Sequence, residues 1–190
     1  MRKLALAVVA IAFGWASGAS AVPIQWTTTS GGNGHWYDFV GFGLNGVQGG
    51  FADWENAKLD AESRGGHLAT FTSAAEWSFF RSVYPANADL IMWIGGYQTS
   101  PSGPDLDSWA WVTGEPWSFT AWYGGDPNGG TGESHLVTWF HTGTGWADHY
   151  SPYGPGFRYG IEYDTYPIPE PSTALLLGLG LAGMAARRRG

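Results

Sequence analysis

Hydrophobic positions recur at helical spacing in two stretches of the chain. The first helix is predicted to begin at about Asp53, a favourable N-cap residue, and to end at the Gly65-Gly66 pair. Its apolar face consists of Trp54, Ala57 and Ala61. The second helix is predicted to open with a capping box of Ser73 and Glu76 and to stop at Pro85. Its apolar face consists of Trp77, Phe80 and Tyr84.

Apolar runs and alternating patterns predict the strands. His35 to Val40 has the composition of a strand, and Leu90 to Ile94 that of a buried one. Leu136 to Phe140 is another apolar run, whereas Phe157 to Tyr163 alternates apolar and polar residues, which indicates a half-buried strand. Residues 95–132 are rich in Gly, Pro, Ser and Asp. This long stretch is expected to form a loop that carries function.

Both ends of the chain have the composition of sorting segments. Residues 1–21 combine a basic start, an apolar stretch and a small-residue site, Ala19-Ser20-Ala21, which predicts a signal peptide and a mature chain from Val22. At the other end, residues 169–190, Pro169-Glu170-Pro171 precedes an apolar run and an arginine triplet. That run would span only about 20 Å as a helix, well short of a bilayer core of about 30 Å, so a permanent span is not expected.

The order of Pro-Glu-Pro, a short apolar helix and terminal arginines resembles the PEP-CTERM signal of Gram-negative bacteria. The resemblance implies transient insertion into the inner membrane and cleavage by an exosortase. Export to the cell surface or the extracellular space would follow. A simple C-terminal membrane anchor is the alternative.

Residues 22–168 have the length of one domain, and their composition limits the functions open to them. They contain four basic and fifteen acidic residues, a formal charge of −11, which argues against nucleic acid as a partner. The chain has no cysteine, so disulfides, cysteine catalysis and thiolate metal sites are excluded. Packing must provide the stability, and 12 tryptophans and 10 phenylalanines are available for it.

Several motifs follow one another in this domain in a specific order. They are Trp54-x-x-Ala57, Gly65-Gly66-His67-Leu68-Ala69-Thr70, Trp93-Ile94-Gly95-Gly96, Trp111-Val112-x-Gly114-Glu115-Pro116, Asp126-Pro127-Asn128, Glu133, Trp146-Ala147-Asp148 and Tyr159-x-Ile161-Glu162-Tyr163. From Trp54 to about Asp164 the chain resembles the C-type lectin-like domains. The resemblance implies an α+β fold of two helices against two small antiparallel sheets, with a long Gly/Pro-rich loop that often binds calcium and sugar.

The chain departs from this family at its two disulfides. The inner bridge would join the positions of Ala61 and Ile161, so an apolar contact is expected to replace it. The second bridge would fall at about His135 and Ser151, which cannot form one. The lost crosslinks must be offset by packing or by bound calcium.

The resemblance also implies a calcium site in the long loop. Calcium takes six to eight oxygen ligands, and the family positions that supply them correspond to Asp126, Asn128, Glu133 and Asp148, with Asp126 and Asn128 flanking a cis-proline, Pro127. Two sugar hydroxyls complete the shell in the family, so the same four residues are the predicted carbohydrate-binding set. The family asparagine before Asp148 is Ala147 here, which removes one ligand. An auxiliary calcium site would need acids near Gln98, Gly129 and Ser134, and is expected to be absent.

Other interpretations of these residues remain open at this stage. Asp126-Pro127-Asn128 followed by glycines is also an ordinary turn signal. Trp122 and Tyr123 could stack on a sugar or belong to the core, and zinc could be held by His135, His141 and His149 with Asp148. Paired carboxylates such as Asp105 and Asp107, or Glu115 and Asp126, could serve a glycosidase, but no Gly-x-Ser-x-Gly elbow or dinucleotide fingerprint is present, so an enzyme is not expected.

The sequence therefore favours an exported, non-catalytic protein of the cell surface or extracellular matrix that binds a glycan or polysaccharide with a weakly held Ca²⁺. The alternative is a structural or protein-interaction domain that keeps the scaffold without metal. Ala147 and the missing cysteines favour this alternative, whereas the four retained oxygen donors oppose it.

Overall fold

A computed structural model describes residues 22–41, 52–83, 91–100, 108–130, 132–139, 145–151 and 157–167. The two helices are α1 (Trp54–Ser63) and α2 (Ala74–Val83), and a short 3₁₀ helix covers Thr28–Ser30. The strands are β1 (Ile24–Gln25), β2 (Trp36–Val40), β3 (His67–Leu68), β4 (Met92–Gln98), β5 (Trp109–Trp111), β6 (His135–Trp139), β7 (Gly145–His149) and β8 (Arg158–Tyr163). The predicted signal peptide, the Pro-Glu-Pro tail, Tyr84, Pro85, Asp105, Asp107 and His141 lie outside the described residues.

Both helices begin where the sequence predicts. The Asp53 side chain caps α1 by accepting the backbone N–H of Asn56 at 2.8 Å. At α2, Ser73 Oγ accepts the N–H of Glu76 at 3.2 Å, but the Glu76 carboxylate does not return to Ser73. It accepts the N–H of Thr72 at 2.7 Å instead. The capping box is therefore only half formed, because the Glu76 carboxylate bonds to Thr72 and not to Ser73.

The strands form one connected sheet rather than the two small antiparallel sheets of the expectation. The strand order is β1-β2-β8-β4-β6-β7, with β3 added on β8 and β5 on β4. One pair, β4 with β8, is parallel, whereas the other pairs are antiparallel. The α+β class is confirmed, and the two expected sheets merge because β4 pairs with β8 at its start and with β5 at its end.

Strand β4 is longer than the predicted strand and continues through Gly95 and Gly96, which the sequence pattern assigns to the loop. A Cβ at Gly95 would lie 2.7 Å from the carbonyl oxygen of Leu68, and one at Gly96 would lie 2.6 Å from Leu136. The two glycines therefore serve close packing rather than a turn, and the loop begins later than expected.

Strand β8 is buried from Tyr159 to Tyr163, with only its first residue, Arg158, partly exposed, and is not half-buried as its alternation predicts. Its polar-position residues Gly160 and Glu162 are as inaccessible as their apolar neighbours. β8 lies between β2 and β4 in the sheet, and Phe80 of α2 packs so close to Gly160 that an added Cβ would lie 2.8 Å from its ring. A helix therefore covers the face that alternation assigns to solvent.

Packing takes the place of the first family disulfide. Ala61 on α1 and Ile161 on β8 are both fully buried and belong to the same apolar cluster, together with Trp54 and Trp93. A second cluster on the other side of the sheet gathers most of the remaining aromatic rings, among them Phe71, Trp111 and Trp146. Aromatic packing thus joins helices and sheet in a chain without cysteine.

Glu55 links the two positions of the second family disulfide. His135 Nε2 lies 3.4 Å from Glu55 Oε1, and Ser151 Oγ donates to Glu55 Oε2 at 2.7 Å. The same Ser151 hydroxyl accepts the N–H of Trp54 at 3.2 Å, at the first turn of α1. A hydrogen-bonded bridge through the first helix therefore connects β6 with the segment after β7.

Candidate functional site

Three of the four predicted calcium ligands belong to one stretch of the long loop, and the fourth lies on β7. Asp126 and Asn128 flank Pro127, and the Asp126–Pro127 peptide bond is cis, as the family resemblance implies. Glu133 lies just before β6, and Asp148 is the fourth residue of β7. Backbone hydrogen bonds tie the loop to β7, since Tyr123 donates to Trp146 at 2.8 Å and accepts the N–H of Asp126 at 2.8 Å.

Asp148 is the buried centre of this group. Its side chain is only 4% exposed, and its carboxylate accepts the backbone N–H of Asn128 at 3.0 and 3.1 Å and that of Gly129 at 2.8 Å. These hydrogen bonds hold the loop closed on the strand. A cation that bound Asp148 would compete with two backbone donors.

Asp126 and Glu133 carry unfavourable negative charge beside Asp148. Burial and then repulsion by Asp148 raise the pKa of Asp126, although the Asn128 amide donates to it and acts in the opposite direction. Burial and repulsion by Asp148 likewise raise the pKa of Glu133, and nearby His149 lowers it. A bound cation would relieve the repulsion.

The donor chemistry of the loop fits Ca²⁺, but its present geometry is not that of a closed metal site. Carboxylate and amide oxygens are the ligands calcium prefers. However, within the described residues Asp126, Glu133 and Asp148 are not among the groups of three whose ligand atoms lie within 4.8 Å of one another. Ala147, at the family asparagine position, is 5% exposed and packs in the apolar cluster of Trp93 and Val137.

Two tryptophans that precede Asp126 in the long loop, Trp117 and Trp122, pack mainly against the core. Trp122 is half-buried and packs against Trp109 at 5.1 Å and Trp146 at 6.2 Å between ring centroids. Trp117 lies in the same cluster, 4.5 Å from Trp111. These rings fix the position of the segment that leads to Asp126.

Of the histidines considered for zinc, His135 and His149 lie within the described residues, and His141 lies outside them. His135 and His149 are directly opposite on β6 and β7, but they belong to no three-residue ligand group in the described part of the chain. Instead, both rings lie against Trp93, at 6.4 and 5.8 Å. Of the glycosidase alternatives, Glu115 accepts the hydroxyls of Thr70 and Thr113 at 2.8 and 2.9 Å.

A second carboxylate cluster was missed as a functional feature by the sequence reasoning. Glu76 and Glu162 are 4% and 2% exposed, and with His35 they form the one group of three potential ligands found in the described residues. The available signal was Glu162, an acidic residue at a polar position of β8 that turns out to be buried. His35 is interpreted above only as part of a strand.

Two family models match the chain. The C-type lectin domain model matches residues 52–151, and the PEP-CTERM protein-sorting motif matches residues 167–189. The chain belongs to the C-type lectin domain family. Members of this family often bind Ca²⁺ and are not generally enzymes. The sorting motif indicates export and C-terminal processing by an exosortase.

Relatives found by sequence are ice-structuring proteins of fish. The chain is 33% identical over 75 residues to a type-2 ice-structuring protein of Hemitripterus americanus, and 29% identical over 75 residues to that of Brachyopsis segaliensis. Each match covers 40% of this chain and about two fifths of the relative, 41% and 40% respectively.

Solved structures share the fold. A calcium-independent type II antifreeze protein superposes with a TM-score of 0.55 at 20% identity, over 76% of this chain and 95% of that one. The C-type carbohydrate-recognition domain of cow CD23, solved in the presence of a GlcNAc2Man3 oligosaccharide, gives 0.54 at 18% identity, over 76% and 94%. The C-type lectin domain of murine dendritic cell inhibitory receptor 2, in complex with an N-glycan, gives 0.51 at 23% identity, over 67% and 89%.

Neither helix among the described residues has the length and apolar character needed to cross a membrane.

Proposed function

We propose that this protein is an exported, non-catalytic carbohydrate-binding protein that binds a glycan through one weakly held Ca²⁺. The proposed ligands are Asp126, Asn128, Glu133 and Asp148. The observation that carries the proposal is the concentration of three carboxylates beside Pro127, two of which, Asp126 and Glu133, have pKa values raised by burial and by repulsion from Asp148. Such a group gains free energy from a divalent cation, and a bound cation with open coordination positions accepts sugar hydroxyls.

Weak affinity is expected for two structural reasons. Ala147 supplies no side-chain oxygen, and its methyl group lies in the apolar cluster. Asp148 must exchange its hydrogen bonds with Asn128 and Gly129 for the ion. Micromolar or weaker calcium binding follows from a shell depleted in this way. Display of many copies on a surface would compensate for weak single-site glycan binding.

The experiment that tests this proposal is calcium titration calorimetry, followed by a glycan array with and without chelator. The site variant combines Asp126→Asn and Asp148→Asn, and the matched control is Glu62→Gln, an exposed carboxylate on α1. One saturable calcium site and a chelator-sensitive glycan signal, both lost in the site variant and kept in the control, would support the proposal. A glycan signal unaffected by chelator or by the site variant would reject this site.

A second candidate is a structural or protein-interaction domain that keeps the scaffold without metal. The observation that favours it is that the Asp148 carboxylate accepts two backbone N–H groups, which closes the loop without an ion. Absence of heat up to millimolar calcium would favour this candidate over the lectin.

A further inference from the structure

The buried carboxylates Glu76 and Glu162 are joined by one tyrosine. The Tyr37 hydroxyl lies 2.9 Å from Glu76 Oε1 and 3.1 Å from Glu162 Oε1. Two residues that precede β2 complete the cluster: Asn33 Nδ2 donates to Glu76 at 2.6 Å, and His35 Nδ1 lies 2.6 Å from Glu162 Oε1. The cluster therefore connects β2, β8 and α2 with the polypeptide that leads into β2.

Hydrogen-bond donors already occupy both carboxylates. Besides Asn33 and Tyr37, Glu76 accepts the N–H of Thr72 at 2.7 Å and its hydroxyl at 3.1 Å. Besides His35 and Tyr37, Glu162 accepts the N–H of Thr70 at 2.9 Å and lies 3.0 Å from the Thr70 hydroxyl, whose one proton it shares with Glu115. A metal ion would have to displace these donors, so the cluster is built to share protons rather than to bind a metal.

Residues 22–35, here called the N-terminal arm, have few other attachments to the domain. β1 contributes two residues to the sheet, and no residue of the 3₁₀ helix is buried. Trp26 is the buried apolar anchor, stacked on Phe79 at 5.6 Å. The arm is closed on itself by backbone bonds of 2.9 Å from Trp26 to His35 and from Gly34 to Trp26. His35 and Asn33 thus supply much of its attachment.

We propose that His35 is a proton-controlled clasp, which holds the N-terminal arm on the domain when the imidazole is protonated and releases it when the proton is lost. The geometry supports this because protonated His35 forms a charge-assisted bond to a carboxylate that is 2% exposed. Neutral His35 would leave two buried carboxylates without a cationic partner in the cluster.

The charged groups that face His35 all act in one direction. The hydrogen bond to Glu162 on β8 raises the pKa of His35 against the opposing effect of burial, and the charges of Glu162, Asp164 and Glu76 raise it further. Asp164 also lies 3.5 Å from His67 on β3. Tyr37 stays neutral, since burial raises its pKa strongly. Burial also raises the pKa of Glu76, so its ionisation adds to the loss of stability at higher pH.

The sign of the pH effect follows from the raised pKa of His35. The contribution is fully present below the unfolded-state pKa of about 6.5 and is lost as the pH rises through the higher folded-state value. The arm is therefore attached in mildly acidic surroundings and loosened in alkaline ones. For an exported protein, the external pH would control access to its N-terminal residues.

Amide hydrogen exchange of the full chain at pH 6 and pH 9 tests the clasp. The probes are the amides of Ile24 and Gln25 on β1, whose pairing with β2 attaches the arm to the sheet, each rate being divided by the intrinsic rate at that pH. Protection is expected to fall several-fold from pH 6 to pH 9 in the wild type. In His35→Gln it should be low and independent of pH. The matched control is His67→Gln, another half-buried imidazole beside a carboxylate, which should respond like the wild type.

Equal wild-type protection at both pH values, or a wild-type response in His35→Gln, would overturn the proposal. A second measurement covers the case in which His35→Gln does not fold. Nuclear magnetic resonance titration of the wild-type imidazole should give a midpoint above that of an ordinary histidine, shared by the Trp26 amide shift. A Trp26 shift that does not follow the His35 midpoint would also reject the clasp.

Discussion

The two carboxylate clusters of this domain are similar in charge but opposite in surroundings. Glu76 and Glu162 are almost inaccessible, and each lies within hydrogen-bonding distance of four donor groups, of which the single Tyr37 hydroxyl is shared between them. Asp126 and Glu133 lie in a partly exposed loop, and their negative charges repel each other and that of Asp148. The first cluster contains a basic residue, His35, within hydrogen-bonding distance of Glu162, whereas in the second the repulsion from Asp148 outweighs the opposing effect of His149 on Glu133.

This difference separates a structural cluster from one suited to a ligand. Donors that are already fixed stabilise the folded state, and removing one partner leaves the others buried and unpaired. Carboxylates that repel one another at the surface lower stability slightly and gain from a cation. Substitutions in the two clusters should therefore have different sizes and even different signs.

The largest effect is expected for Glu162→Ala. It leaves Tyr37, His35 and the Thr70 amide without their buried acceptor, so the free energy of unfolding should fall by about 3–5 kcal/mol. Urea unfolding followed by tryptophan fluorescence measures this change. The control Glu62→Ala removes an exposed carboxylate and should stay within about 0.5 kcal/mol of wild type. Similar losses for both variants would show that burial does not distinguish these carboxylates.

Intermediate changes in the free energy of unfolding are expected for two loop variants in the presence of chelator. The change should be a loss of stability for Asp148→Ala but not for Asp126→Asn. Asp148→Ala orphans the N–H groups of Asn128 and Gly129 and should cost about 1–3 kcal/mol. Asp126→Asn removes a repelled charge and should leave metal-free stability unchanged or slightly higher. Thermal unfolding with and without calcium measures both.

With calcium present, the wild type should be more stable than Asp126→Asn, which reverses their order of stability in chelator. An ion bound only to the folded state at a concentration of 100 Kd adds about 2.7 kcal/mol, and Asp126→Asn should lose most of this gain. If Asp126→Asn kept the full calcium shift, Asp126 would not be a ligand. If Asp148→Ala were harmless in chelator, the closed loop would not depend on its carboxylate.

The sequence predicted the local elements and the family well, because caps and helical spacing are local signals. Asp53 and Ser73 start the two helices, and Trp54, Ala57 and Ala61 form the buried face of α1. The sequence did not predict the burial of β8, because alternation cannot reveal that α2 covers the second face of the strand. For the same reason the role of Glu162 could not be derived from its position in the pattern.

Composition predicted the long loop and the family resemblance supplied its candidate ligands, while its closed state follows only from three-dimensional contacts. The four proposed ligands were named from motif positions, and their assignment stays a prediction. That Asp148 accepts backbone N–H groups depends on how residues 128 and 129 lie against β7. A one-dimensional pattern contains no information on such a contact.

The smallest effect is expected at the Glu55 bridge, which links α1, β6 and the segment after β7. Glu55 is 57% exposed, so Glu55→Ala should cost about 0.5–1 kcal/mol, part of it from the lost charge at the start of α1. Ser151→Ala alone removes the same contact to Glu55. If the bridge is real, Ser151→Ala should cost less in the Glu55→Ala background than in the wild type.

The titration midpoint of the His135 imidazole is an independent measurement of the same bridge. Burial lowers the pKa of His135 while the charge of Glu55 raises it, so Glu55→Ala should lower the titration midpoint further. A double-mutant cycle on urea unfolding measures the coupling, and an imidazole titration measures the electrostatic part. Additive costs with an unchanged midpoint would mean that Glu55 acts only through the helix terminus. Apolar packing alone would then have replaced the second disulfide, as it replaces the first between Ala61 and Ile161.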